Sequence, residues 1–413
     1  MTNADAGMGR KENAVPMVVT GLLIAAAVVL TLNRSFYNRT AADAFFSLTL
    51  ASTAIVFLHV RPLWEALQLV VATCLLVLLQ ALALKASPSL MPELALLGVG
   101  SLGLLACRRI WSAGEERTLL HDAFLPPLLF VLLGYASSAL LDMTDRLHSS
   151  TLDLFLFNFD ASLGVQPSFE VGQLVLRSRW LTRIALLFYY ALPVPVMLIY
   201  AKQLMRARNA ALAAFLGLMV VGPAGVIFYN LLPACGPIYL FGSTFPFEPP
   251  STDQVKEMLV HPVFISGVRN AFPSLHVAWA LLAWWYAKGL SKWTKFFVLL
   301  FLAGTILATL GLGEHYFIDL VAALPFALMI QAGCALQVPW CERRRYAPFL
   351  CGLFLILGWV ALLRLGLGIM WISPLIPWIF IAGTTILCLT LQRWLEWPGA
   401  DARTLNEADR RLR

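Results

Sequence analysis

Gly267-Val268-Arg269-Asn270-Ala271-Phe272-Pro273-Ser274-Leu275-His276 opens the stretch that decides this fold, and Gly313-Glu314-His315-Tyr316-Phe317-Ile318-Asp319 closes it. Between the two histidines lie two apolar segments, Val277–Leu290 and Phe296–Leu312, divided by the basic turn Lys288–Lys295. At about 1.5 Å per helical residue, each crosses most of a hydrocarbon core about 30 Å thick. One segment goes across and the other returns, so His276 and His315 are expected at the same membrane face. A polar pair that a helical hairpin gathers at an interface is a candidate site.

The composition agrees with a membrane setting. Of 413 residues, 60% are hydrophobic and only 13% charged. The fold class is all-α, a polytopic helical membrane protein, because lipid leaves the backbone only helices or closed barrels. The ten-residue alternation of barrel strands is absent. The net charge of +7 does not point to nucleic acid, since the basic residues sit in short loops between apolar runs. Met1–Val15 is polar and precedes a span without a small-residue cleavage pattern, so no removable signal peptide is expected. The seven cysteines are scattered, and neither a disulfide framework nor a metal site is expected from their spacing.

Hydropathy predicts about twelve transmembrane helices: Val15–Thr31, Phe45–Val60, Leu63–Leu84, Met91–Cys107, Leu120–Leu141, Trp180–Tyr200, Ala210–Leu232, Ser274–Tyr286, Phe296–Leu312, His315–Leu336, Pro348–Leu363 and Ile372–Leu391. They divide into an N-terminal accessory region with four spans (1–119), a six-helix core (120–337), and two C-terminal spans with a tail (338–413). No internal repeat relates the two halves. Twenty of the thirty lysines and arginines fall on one face, which the positive-inside rule makes cytoplasmic. Both termini are then inside, and both histidines face outward. Arg34 and Arg39, in the first outer loop, run against that rule.

Two outer segments are long. Leu147–Leu176 mixes leucines and phenylalanines with Asp153, Asp160 and Glu170, and reads as an interfacial or re-entrant piece. It either caps the bundle or lines an access path for lipid. Pro233–Asn270 is rich in proline and glycine, reads as a non-helical loop, and leads straight into the first histidine motif, which it is expected to cover.

The motif residues carry a specific chemistry. Pro273-Ser274 reads as a helix start, with Ser274 capping it, and the free N–H groups of a helix N-terminus suit a phosphate. His276 stands in that first turn. His315 and Asp319 are four apart, on one helical face within side-chain reach. A carboxylate beside an imidazole fixes its tautomer and makes it a better nucleophile or base. Two histidines in unlike environments can divide the work, one attacking and the other protonating the leaving group. The bland alternative is a pair of interfacial anchors. Asp319 weighs against it, because an intramembrane carboxylate costs about 2.5–3.5 kcal/mol at the bilayer centre and needs a partner. His59, His121 and His148 read as plain interfacial residues, and His261 as a minor candidate.

Phe272-Pro273-Ser274-Leu275-His276 together with Gly313–Asp319 resembles the second and third signatures of the type 2 phosphatidic acid phosphatase superfamily. Leucine before the first histidine, and Pro233-Ala234-Cys235-Gly236-Pro237 upstream, resemble the inositol phosphorylceramide synthase and sphingomyelin synthase branch. The resemblance covers about Leu120–Leu336 and implies that His315 attacks phosphorus, Asp319 orients it, and His276 protonates the leaving oxygen. The family's first signature is not found, and Thr309 stands where its third signature has arginine. Arg269 is the expected substitute for holding the phosphoryl oxygens, ahead of Lys256, Arg177 and Arg179. Ser274, Asn270 and Tyr316 complete the expected substrate-binding set. No metal or cofactor is expected.

The expectation is therefore a metal-independent lipid phosphotransferase or lipid phosphate phosphatase that works through a phosphohistidine. Its partners are a phospholipid or lipid phosphate, a lipid alcohol or water as acceptor, and the bilayer. A lipid alcohol (an inositol phosphotransferase-like reaction) is favoured over water. The expected location is a bacterial inner membrane, with the active site on its extracytoplasmic face. A proton-coupled transporter is the rival from another class, with His315 and Asp319 as a relay. A silent lipid-binding scaffold is a third reading.

Overall fold

The computed structural model describes residues 44–84 and 90–396; the expected span Val15–Thr31 and both termini lie outside the described residues. Regular structure among the described residues is helical, apart from one isolated antiparallel bridge between Thr151 and Val263. Helices satisfy their own backbone groups, which is what a chain this apolar needs in lipid.

The chain divides into two compact units. One takes the described residues up to Leu140, with Leu186–Met219 and Ala283–Thr305. It holds α1 (Ala44–Val60), α2 (Leu63–Leu84), α3 (Leu90–Trp111) and most of α4 (Gly114–Leu147). Small residues bring α1 and α3 together: a Cβ at Gly98 would lie 1.9 Å from the Leu50 carbonyl oxygen. Thr53 Oγ1 then reaches Ser101 Oγ at 3.1 Å. Buried Glu65 is bridged by Arg61 at 2.6 Å and by Arg108 at 3.0 Å.

The other unit takes Leu141–Ala185, Val220–Leu282 and the described residues from Ile306 onward. It begins with α5 (Asp153–Ser162) and α6 (Pro167–Leu176). All but one residue of α5 are buried, which fits the re-entrant reading of this part of Leu147–Leu176 better than the interfacial one, whereas α6 leaves Glu170 and Leu174 exposed. At about 1.5 Å per residue, a helix of ten residues is only about 15 Å long and cannot cross a membrane. Next come α7 (Arg179–Tyr190), α8 (Pro193–Arg206) and α9 (Arg208–Leu231), which begin or end in the first unit. The segment Pro233–Asn270 is not wholly non-helical: Pro237 starts the short α10 (Pro237–Phe241), and a Ser251/Gln254 capping box starts α11 (Thr252–Glu257).

The histidine motifs flank α12 (Leu275–Tyr286) and α13 (Lys292–Gly311), and α14 (Phe317–Gly333) follows the second motif. The C-terminal α15 (Arg343–Leu365), α16 (Leu367–Met370) and α17 (Leu375–Leu395) share the unit with α5 and α14. Arg345 caps α14, donating to the carbonyls of Ala332, Gly333 and Val338 at 3.1, 2.8 and 2.5 Å. Trp371 Nε1 donates to Asn158 Oδ1 at 2.8 Å, and Trp378 Nε1 to the Leu163 carbonyl at 3.2 Å. Residues 338–396 are thus built into the unit that carries both motifs.

Six helices among the described residues are long and apolar enough to cross a membrane, or seven if the bent pair α7–α8 is one span. The expected twelve are not reached. Each expected segment within the described residues is helical, but several helices are short. α1 and α14 have 17 residues, and α12 has 12, about 18 Å of helix. Hydropathy windows register such buried apolar helices as readily as lipid-spanning ones.

Candidate active site

The two motifs meet. The rings of His276 and His315 lie 6.3 Å apart, centroid to centroid, at 64°. That spacing puts both imidazoles at one site.

Each motif is held by backbone bonds. On the first, Ala271 N–H donates to the Ala234 carbonyl at 3.0 Å and Ser274 N–H to the Asp319 carbonyl at 3.1 Å. Ser274, fully buried, accepts Val277 N–H at 3.4 Å and so caps α12 as expected. On the second motif, the chain leaves α13 in a turn in which Glu314 and His315 both donate their N–H to the Thr309 carbonyl at 3.2 Å. The turn needs Gly313, whose φ is +75°. Ile238 N–H of α10 donates to the Gly313 carbonyl at 2.9 Å. Gly236, at φ +121°, lets that loop come close, since a Cβ there would lie 2.5 Å from the Glu314 carbonyl oxygen.

His315 stands in the turn before α14 and is 3% exposed. Its Nδ1 is 2.9 Å from the Ala271 carbonyl oxygen and 3.4 Å from Asp319 Oδ2. A carbonyl can only accept, so the proton belongs on Nδ1 and the lone pair on Nε2. Burial lowers the imidazole to about 4, against the opposing pull of Glu314 and of the Ala271 bond. Burial also raises the Glu314 carboxyl, while His315 and a hydrogen bond with Tyr239 oppose the rise. Asp319 is fully buried and spends its shortest bond on Tyr316 N–H, 2.7 Å from Oδ2, capping α14. The tautomer-fixing partner of His315 is therefore first the Ala271 carbonyl and second Asp319.

The expected substrate-binding residues divide. Arg269 is 2% exposed and already committed: it pairs with Asp145 at 2.5 Å and donates to the carbonyls of His148 at 2.8 Å and Gly267. Its own N–H donates to Thr144 Oγ1 at 3.1 Å. These partners tie the Gly267–Asn270 segment to the end of α4, a different job from clamping a phosphate. Tyr316 is buried, and its hydroxyl donates to Asp153 Oδ1 at 3.0 Å. Asn270 is half-buried beside the first motif, while Lys256, Arg177 and Arg179 are exposed. His261 is exposed too, with Nδ1 2.8 Å from the Leu259 carbonyl.

Sequence reasoning singled out neither Asp153 nor Asp160 nor Ser168, and all three touch the second motif. Asp153 accepts the N–H groups of Cys235 at 3.1 Å and Gly236 at 2.8 Å besides the Tyr316 hydroxyl. Asp160 accepts the N–H groups of Phe317 and Ile318 at 2.6 and 3.1 Å. Ser168 donates to the His315 carbonyl at 3.0 Å. A signal was present: two carboxylates inside the apolar run Leu152–Leu163 raise the same cost argument that picked out Asp319.

The comparisons with known proteins agree with this part of the chain. A family model of the PAP2 superfamily matches residues 154–333, less than half of the chain, and the match takes in His276, His315, Asp319, Asp160 and Ser168. It supports the superfamily, and with it a lipid phosphatase- or phosphotransferase-type enzyme in a membrane. No curated protein and no solved structure matches the chain.

Proposed function

We propose that this protein is a membrane enzyme that moves a phosphoryl or phospho-head group of a lipid through a phosphohistidine at His315. The observation that carries the reading is the Nδ1–Ala271 bond, which leaves the His315 Nε2 lone pair available opposite His276. In the first step Nε2 forms a bond to phosphorus and the P–O bond to the leaving alcohol breaks, with His276 giving that oxygen its proton. In the second step the acceptor hydroxyl loses its proton to His276, its oxygen bonds to phosphorus, and the N–P bond breaks. With Arg269 held by Asp145, the phosphoryl oxygens are assigned to the positive end of the α12 dipole.

The favoured acceptor is a lipid alcohol, because Pro-Ser-Leu-His resembles the transferase branch; water is the alternative. Catalysis is assigned to residues 120–337, in a bacterial inner membrane, with the termini cytoplasmic and the site on the extracytoplasmic side. The deciding experiment incubates the purified protein with a ³²P-labelled lipid panel and quenches in alkali, where phosphohistidine survives. Label on the His315 peptide supports the reading. Turnover without label there, or uptake into proteoliposomes without phosphoryl release, overturns it.

A further inference from the structure

α5 carries two carboxylates that the proposed chemistry does not use. Asp153 and Asp160 are both buried and lie two helical turns apart, on one face. Asp153 holds the amides of Cys235 and Gly236 and the hydroxyl of Tyr316, and the same loop reaches Gly313 through Ile238 N–H. Asp160 holds the amides of Phe317 and Ile318. The backbone just before His315 and the residues just after it are therefore both tied, directly or through one loop, to a single buried helix. Ser168 adds a bond to the His315 carbonyl itself.

Ordinary helix capping does not ask for this arrangement. A serine or asparagine caps a helix as well as an aspartate does, without the expense of burying a charge. Burial raises both carboxyls, that of Asp160 well above the usual carboxylate range. What two rigid carboxylates add is geometric registry: Asp153 accepts from the Cys235–Gly236 loop and from Tyr316 at once, and Asp160 accepts two successive amides at the start of α14. A nucleophile displaced by about 1 Å can lose about 100-fold in rate, so registry is where such an outlay has an effect.

We propose that Asp153 and Asp160 are positioning residues, through which α5 holds the His315 turn so that Nε2 meets the phosphorus in line. The inference rests on the reading of His315 as the nucleophile. It also gives the C-terminal helices a role, since Trp371 bonds Asn158 of α5 and Trp378 bonds the Leu163 carbonyl at its C-terminal end.

The test uses the full chain in proteoliposomes, with Asp153→Asn, Asp160→Asn and Ser168→Ala beside Trp359→Phe. Trp359 packs on Phe159 of α5 and donates to Thr384 Oγ1 at 3.2 Å, so its variant reports the loss of packing on α5 and of one hydrogen bond to α17, with both carboxylates kept. In Asp160→Asn one amide oxygen can still accept, while the NH₂ group faces an N–H it cannot pair with. Its kcat should fall about 100-fold with KM held within about twofold, while Trp359→Phe keeps the kcat of its folded fraction. Carbethoxylation of the His315 peptide by diethyl pyrocarbonate, read by mass spectrometry, needs no substrate and should quicken about tenfold as the turn loosens. An Asp160→Asn protein with kcat within about twofold of wild type, or with unchanged carbethoxylation, overturns the proposal. Should Asp160→Asn not fold, Asp153→Asn and Ser168→Ala answer the same two questions. If the wild type turns over no lipid phosphate, the functional reading falls, and the carbethoxylation rate alone decides whether Asp160 holds His315.

Discussion

The Nδ1 atom of His315 lies 2.9 Å from the carbonyl oxygen of Ala271, a residue 44 positions earlier in the chain. The bond couples the two motifs through the main chain, and it selects the tautomer whatever side chain occupies position 271. Asp319, at 3.4 Å from the same nitrogen, is the weaker of the two partners. The sequence spacing of His315 and Asp319 suggested a dyad; the geometry describes a histidine oriented by a backbone carbonyl and assisted by a carboxylate.

That division has a kinetic consequence. Asp319→Asn keeps an oxygen for Tyr316 N–H and leaves the Ala271 bond intact. Its kcat should fall by only about 10–100-fold, against a loss of about 10⁴-fold or more for His315→Ala. Steady-state kinetics on a lipid phosphate check both. Equal losses would show that Asp319, not Ala271, governs the tautomer.

His276 is assigned the proton of the leaving oxygen, and the need for that proton depends on the leaving group. His276→Ala should lose about 10²–10⁴-fold on a lipid substrate. On a 4-nitrophenyl phosphate ester, whose leaving oxygen departs without protonation, it should lose less than about tenfold. The ratio of the two losses is the measurement. A ratio near one would remove His276 from the acid role.

Legibility in the sequence followed chemistry type. His276, His315 and Asp319 were found because polar residues in apolar helices are costly and their spacing set them side by side; the structure does bring all three together. Asp153 and Asp160 carry less signal because their segment reads as an interfacial or re-entrant piece, and at an interface a carboxylate costs little; the burial of α5 makes the cost apply. The Ala271 carbonyl carries no side-chain signal at all. Arg269 shows the opposite case: a cation near a phosphate motif draws attention, while its partner Asp145 lies outside both motifs, in α4. Among the described residues six or seven helices reach spanning length against the twelve expected, because a hydropathy window registers a short apolar helix such as α12 as readily as a long one.

The two roles open to Arg269 can be told apart by measurement. A phosphate clamp, when removed, raises KM or lowers kcat; a buried staple, when removed, lowers stability. Arg269→Ala frees Asp145, which is half exposed and can be hydrated, but strands the His148 and Gly267 carbonyls. The expected cost is about 1–3 kcal/mol of stability. Thermal unfolding in detergent should shift down by several degrees, while the folded fraction keeps its KM. A large KM increase at unchanged melting temperature would restore Arg269 to the phosphate.

The loop that crosses the His315 turn can be tested at Gly236. Its φ of +121° is one that side chains rarely adopt, and an added Cβ would lie 2.5 Å from the Glu314 carbonyl oxygen. Backbone is on both sides of that contact, so no rotamer change relieves it. Gly236→Ala must therefore push Pro233–Pro237 away from the turn. The same shift would lengthen the Asp153 bonds to the Cys235 and Gly236 amides and the Ile238–Gly313 bond. A cost of about 1–2 kcal/mol per residue forced into left-handed backbone sets the least stability loss. Activity should fall further than that loss explains, because the displaced loop is bonded to the turn that carries His315. Gly114→Ala is the control: its φ is +58° with nothing within 4 Å of the added Cβ, so it suffers the conformational strain without the clash. Melting temperature and kcat measured on both variants separate the two effects. If Gly236→Ala lowers the melting temperature as Gly114→Ala does and leaves kcat unchanged, the loop has no part in holding His315.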